Sequence, residues 1–291
     1  MYKIILIGVF SLVLLSSCFS SKEDNSNTII FAYVPNRDVN ELEISANKIA
    51  SFLSKDTGYK VKTITVQNYA GILFGLAREK IDLAFVGPLD YILCNDKTGA
   101  YPITSSVRHG IKGYRGIGIT HRDNNISSLK DLKGRSVAFG DPLSASSNLY
   151  PKWKLKEYNI DTKIDIKSIY LSSAASIVLS VLNKKVDVGF IYNDARTSGN
   201  IMKKFPKVLN DTKIIFTTDI IPADPQIVRK NLEKYKVVAL QRALVKMSND
   251  IEGKKWLHDL FGIDRLEIAD ETEYFALKEI VMKLKPELLE R

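Results

Sequence analysis

The stretch Phe139-Gly140-Asp141-Pro142-Leu143-Ser144-Ala145-Ser146-Ser147-Asn148-Leu149 decides how this chain is read. It follows an apolar run, Ser136-Val137-Ala138-Phe139, with the composition of a buried strand, and leads into residues 149–158, whose apolar spacing is helical. Strand, turn and helix start therefore follow one another. Asp141-Pro142 turns the chain, and Ser144, Ser146 and Ser147 fall near the first helical turn, where backbone N–H groups have no partner inside the helix. Such a place suits an anion. The N–H groups and the positive end of the helix dipole favour negative charge, and each hydroxyl can donate a further hydrogen bond. A Ser-x-Ser-Ser run alone equally describes one helix cap beside solvated hydroxyls, so the rest of the chain has to decide.

Residues 28–34 form a β-type run ending at Pro35-Asn36, residues 42–54 have helical periodicity, residues 60–66 read as a strand and 69–78 as a helix. A third strand, Ile81-Asp82-Leu83-Ala84-Phe85-Val86, ends at Gly87-Pro88. This alternation belongs to an open α/β sheet, whose ligands sit at the carboxyl ends of the strands, so the loops holding Pro35, Tyr69, Pro88 and Tyr91 are expected at one edge. Two β-rich segments span 103–120, residues 125–132 look like a short helix capped by Ser127 or Ser128, and the strand feeding the serine turn follows. A second unit comprises a strand over 164–171, a helix over 174–182 and a strand over 186–192. After a β-type run at 213–218 and Ile221-Pro222, the chain reads as helical over 232–247, 254–260 and 272–284. The expected architecture is α/β with two lobes, each an open mixed sheet flanked by helices. Lobe 1 takes residues 29–117 and 221–291, lobe 2 takes 118–220, and a ligand cleft lies between them.

The N-terminus carries a different message. Lys3 precedes an apolar run over 4–15, broken only by Gly8 and Ser11, and Leu15-Ser16-Ser17-Cys18 follows. That run is too short to span a bilayer but fits a secretory signal, and its ending resembles a bacterial lipobox. Residues 1–17 are therefore expected to be removed, Cys18 to carry the lipid, and the polar residues 18–28 to form a flexible tether. Cys94 is then the only thiol in the folded body, which excludes an internal disulfide and suits a small core residue. The formal charge is +9, from 42 basic and 33 acidic residues, and loss of Lys3 leaves +8. The lysines are scattered with no basic run between aromatics, which argues against nucleic acid and for a surface that draws small anions. His109, His121 and His258 have no metal-ligand spacing, and Gly116-Ile117-Gly118 lacks the setting of a dinucleotide fingerprint, so neither a metal nor a cofactor is expected.

Taken in order, these pieces resemble a known family, the substrate-binding lipoproteins of phosphate, phosphite and phosphonate ABC transporters, which have the type II periplasmic binding protein fold. The residues that carry it are Tyr69, Ile81 to Pro88 with Tyr91, Asp141 to Ser146, Val181-Leu182-Asn183 with Val186-Asp187-Val188, and Ile221-Pro222 with Pro225 to Arg229. The resemblance implies a binding protein rather than an enzyme, closing on a small anionic phosphorus compound and handing it to a permease and ATPase complex. It implies an extracytoplasmic monomer held to the membrane by its lipid. It places the oxyanion on Ser144, Ala145 and Ser146 with the backbone through Ser147, under the hydroxyls of Tyr69 and Tyr91, with Pro88 and Tyr192 at the site.

Three positions depart from the family pattern. Ala145 stands where the turn has threonine, Ala174 where a histidine is frequent, and Tyr192 where some members place a carboxylate for an aminoalkyl group. These losses argue against an aminoalkylphosphonate. Two other readings keep the fold. Tyr192 or Trp153 could stack on the ring of thiamine or a thiamine phosphate ester, and an enzyme could occupy the same scaffold, although no nucleophile and base stand together in the sequence.

Overall fold

The computed structural model describes residues 27–34, 39–197, 199–285 and 288–289. The expected signal segment, Cys18, most of the tether and the Pro35-Asn36 turn lie outside the described residues.

The first lobe opens with β1 (Thr28–Tyr33), α1 (Val39–Thr57), β2 (Lys60–Thr65), α2 (Tyr69–Ala77), β3 (Leu83–Phe85), α3 (Pro88–Thr98) and β4 (Tyr101–Val107). The chain then crosses into β5 (Gly116–His121), β6 (Ser136–Phe139), α4 (Tyr150–Glu157), β7 (Lys167–Tyr170), α5 (Ala174–Leu182), β8 (Val188–Tyr192), α6 (Gly199–Lys204), α7 (Val208–Asp211) and β9 (Thr212–Thr217). It returns as β10 (Pro225–Val228), α8 (Lys234–Met247), α9 (Ile251–Phe261), β11 (Arg265–Ile268) and α10 (Phe275–Leu284). The first sheet runs β11-β4-β10-β3-β1-β2 and the second β7-β6-β8-β5-β9. In each, the strand that arrives from the other lobe, β10 or β5, lies antiparallel between its neighbours, while β1, β2 and β3, or β6, β7 and β8, run parallel. This is the expected two-lobed α/β fold. Gly116 and Ile117 pair in the second sheet, two residues before the expected start of lobe 2.

Both sheets are covered on both faces, and strand alternation explains how. Ile29, Phe31 and Tyr33 of β1 point into a cluster with Leu42, Ile49 and Leu53 of α1 and Leu240 and Leu244 of α8. The residues between them, Ile30 and Ala32, face Ile72 and Leu76 of α2 and Ile92 and Leu93 of α3. In the second lobe Val137 and Phe139 turn to one cluster and Ala138 to another that holds α5. Continuous apolar runs are what such doubly covered strands require.

Four elements differ from expectation. Residues 88–98, read as a loop at their start, form α3, with Gly87 as N-cap, Pro88 in the first turn and Gly99 left-handed at the C-cap. Residues 225–228 and 265–268, before and between the expected helices and not expected as strands, form β10 and β11. The β10 strand begins on a proline, which suits a strand's first residue because it has no N–H to pair. Its buried Gln226 is satisfied by Thr104 Oγ1 at 2.8 Å and Ser106 Oγ at 3.1 Å. The short helix over 125–132 shrinks to a single 3₁₀ turn, Leu129–Leu132, capped by Ser128 and Asp131.

Candidate functional site

The serine turn stands at the carboxyl end of β6, and its Asp141 lies near enough to Asp90, at the start of the helix after β3, for their charges to interact. Leu143 N–H donates to Asp141 Oδ1 at 2.7 Å and Ser144 N–H to the Asp141 carbonyl at 2.8 Å, which closes the turn. A π-helical turn, Ala145–Leu149, then leads without a break into α4. Its widened bonds, such as Leu149 N–H to the Ser144 carbonyl at 3.0 Å, leave the N–H groups of Ala145 and Ser146 ahead of the first intrahelical bond. Ser144 is the cap. Its Oγ accepts from Ser147 N–H at 3.2 Å and from Ser147 Oγ at 2.7 Å, so its own O–H remains as a donor. The Ser147 hydroxyl and N–H are both spent on that cap. Gly140 makes this possible, because a Cβ there would lie 2.0 Å from Ser147 Oγ. Ala145 and Ser146 are buried.

From the other side comes a residue that the sequence did not disclose. Tyr114 lies on the outgoing crossing, where its N–H donates to the Ile221 carbonyl at 3.0 Å and its carbonyl accepts from Ile221 N–H at 2.7 Å, so the two crossings pair as a hinge. Its phenol stands beside the side chain of Ser146, close enough for that hydroxyl to favour the ionised phenol. Two residues on, a Cβ at Gly116 would meet the Ser146 carbonyl at 2.5 Å, so the hinge presses directly on the serine turn. The available signal was a tyrosine between Gly113 and Gly116 at a crossing.

Tyr69 opens α2, capped by Asn68, whose side chain accepts from Gly71 N–H. Its hydroxyl lies near the thiol of Cys94 on α3. Tyr91 takes a different course. It is 3% exposed, its ring stands edge-on to Tyr274 with centroids 4.7 Å apart, and it belongs to the buried cluster that also holds Ala145 and Leu149 of the turn. Pro88 is buried in the first turn of α3. Tyr192 ends β8 beside Gly116 and is 41% exposed at the rim. Trp153 packs against the first-lobe cluster under Lys283, whose ammonium lies 5.3 Å from its ring, and is not presented for stacking on a ligand.

Burial sets the electrostatics. It pushes the phenols of Tyr69, Tyr91 and Tyr114 well above their ordinary range, so all three keep their protons as donors, and it pushes Cys94 up to about 12. Asp90 is pushed up to about 6, first by burial and then by the carboxylates of Asp224 and Asp141, against a hydrogen bond from Gly87 N–H. Among the described residues no group of histidine, cysteine, aspartate or glutamate could hold a metal ion, and no helix is long and apolar enough to cross a membrane.

Comparison with known proteins gives the family. The profile described as ABC transporter, phosphonate, periplasmic substrate-binding protein matches residues 31–274. The chain is 28% identical over 257 residues to the phosphate-import protein of Mycolicibacterium smegmatis, with 80% of each covered. It is 28% identical over 217 residues to the phosphonates-binding periplasmic protein of Escherichia coli, covering 73% of this chain and 64% of that one. A binding protein component of an ABC phosphonate transporter from Pseudomonas aeruginosa matches with a TM-score of 0.71 at 26% identity, covering 88% of this chain and 86% of the other. These relatives are transport binding proteins, and the profile spans both lobes, the serine turn and the hinge. The chain belongs to the family of extracytoplasmic substrate-binding proteins of phosphonate ABC transporters.

Proposed function

We propose that the cleft binds a small phosphorus oxyanion, phosphonate, phosphite or phosphate, and delivers it unaltered to a membrane permease and ATPase. The ligand is held by the hydroxyls of Ser144 and Ser146, the N–H groups of Ala145 and Ser146, and the phenols of Tyr69 and Tyr114. Tyr91 and Ser147 support the site from the core and the cap. The observation that carries this reading is the close approach of hinge and turn, where Gly116 packs on the Ser146 carbonyl and the Tyr114 phenol stands beside Ser146, so a hinge phenol and the turn's donors share one place. Donors without formal charge suit an oxyanion at a helix start, and each such bond to a charged group contributes about 1.5–3 kcal/mol. Four or five, after the cost of ordering and closure, reach the ~8 kcal/mol of a micromolar complex. The names of the phosphate and phosphonate relatives support the same ligand class. Cys18 is the proposed lipid anchor.

The test is calorimetric titration with phosphate, phosphite and methylphosphonate, on the wild type and on Ser144→Ala with Ser146→Ala. At least one of the three should bind, and the double variant should lose about a hundredfold in affinity. Unchanged affinity in the double variant would refute the assignment.

A further inference from the structure

Asp224 stands where the returning crossing enters the first sheet. It immediately precedes β10, which runs antiparallel to β3, and Val86 N–H donates to the Pro225 carbonyl at 3.3 Å. This places Asp224 beside the carboxyl end of β3 and the start of α3. Its charge acts on Tyr114, on Tyr274 and on Asp90, and Asp141 of the serine turn acts on the same Asp90. Three carboxylates thus border a cleft read as taking an anion, and like charge opposes that ligand.

One of the three is answered by a fixed cation. Arg108, just beyond β4, donates from Nη2 to Asp224 Oδ2 at 2.7 Å. Its Nε and Nη2 also donate to the Phe261 carbonyl at the end of α9, at 3.2 and 3.1 Å. The guanidinium is therefore clamped between two elements of the first lobe, and its positive charge also acts on Tyr114. A fork held in this way is a permanent counter-charge, unlike a flexible lysine.

We propose that Arg108 is a specificity-determining residue. By holding Asp224 in an ion pair, it lets the cleft accept a compact oxyanion and denies a counter-charge to ligands that carry an ammonium group. This rests on the reading of the serine turn given above. A pair that only ties β4 to β10 would affect stability and leave ligand discrimination alone.

The experiment measures dissociation constants for methylphosphonate and 2-aminoethylphosphonate by calorimetry on the mature chain. The wild type should prefer methylphosphonate. Arg108→Met should move the ratio about tenfold toward the amine, Arg108→Lys, which keeps the charge without the fork, should move it less, and Arg108→Met with Asp224→Asn should return toward the wild-type ratio. Asp224→Asn alone leaves Arg108 unpaired and should move the ratio the other way, which supplies a readout should Arg108→Met fail to fold. A ratio that stays constant across these variants overturns the inference, as does a shift that survives in the double variant. Either result leaves the serine assignment standing if Ser144→Ala with Ser146→Ala still abolishes binding. A wild type that binds neither ligand overturns the inference, and the serine assignment falls with it only if phosphate and phosphite fail to bind as well.

Discussion

Replacing Asp90 with asparagine should stabilise the protein at alkaline pH and leave it unchanged in acid. Asp90 is the third residue of α3, and its carboxylate accepts a hydrogen bond from Gly87 N–H, the helix N-cap. Protein crowds that carboxylate, Asp224 and Asp141 add like charge, and its pKa stands at about 6 against an ordinary 3.8. A displacement of about two units corresponds to ~3 kcal/mol at most, and solvent near the cleft reduces it to about 1–2 kcal/mol. The sign follows from proton counting. Because the folded pKa lies above the unfolded one, the folded state holds the extra proton between about pH 4 and pH 6, so stability falls as the pH rises through that window. Above it the cost of the buried charge is complete. Asparagine keeps an acceptor for Gly87 N–H and carries no charge. Thermal melts should therefore show the variant about 2–6 °C above the wild type at about pH 8 and level with it at about pH 4. An equal shift at both pH values, or a loss at pH 8, would mean that the charge on Asp90 is not what destabilises the folded state.

Three other substitutions or treatments probe the site. Tyr114→Phe keeps the ring and should weaken oxyanion binding about tenfold with far-UV dichroism unchanged, and an unaltered dissociation constant would detach the hinge tyrosine from the ligand. Gly116→Ala places a Cβ 2.5 Å from the Ser146 carbonyl, so it should cost at least ~2 kcal/mol in denaturant melts and abolish measurable binding, whereas near-native melts would mean that the hinge can yield. Cys94 is fully buried with its thiol pushed up to about 12, so alkylation near pH 8 should proceed only at the rate of unfolding, and fast labelling of the native protein would contradict that burial.

Much of the fold was legible because the parallel strands are buried on both faces. Leu83 to Val86 and Val137 to Phe139 are continuous apolar runs that end in turn residues, and each feeds a helix. The elements that escaped are the short ones. The strands β10 and β11 have four residues each, too few for a period, and β10 opens on a proline that in isolation reads as a breaker. Helix α3 mixes buried Ile92, Leu93 and Cys94 with Asp90, Asn95, Asp96 and Lys97, and its polar residues hid its apolar face. The serine turn could be read because its chemistry is local. Cap, donors and helix start all lie within residues 140 to 149.

What joins the two halves of the site could not be local. Ser146 meets Tyr114 only because β5 pairs between β8 and β9, which carries the hinge across the end of β6. The same holds behind the site. Ala145, Leu149 and Tyr150 of the second lobe share one buried cluster with Leu277, Ile280 and Val281 of α10, and Lys285 Nζ donates to the Pro142 carbonyl at 2.7 Å. A periodicity reading assigns α10 an apolar face but not the helix that covers it. Because packed interfaces do not deform continuously, the serine turn is fixed to the first lobe at its back while it presents donors at its front. Tyr91 illustrates the consequence. Its sequence position matches a ligand tyrosine of the family, its ring packs edge-on against Tyr274, and the tyrosine that stands beside Ser146 is Tyr114 of the crossing.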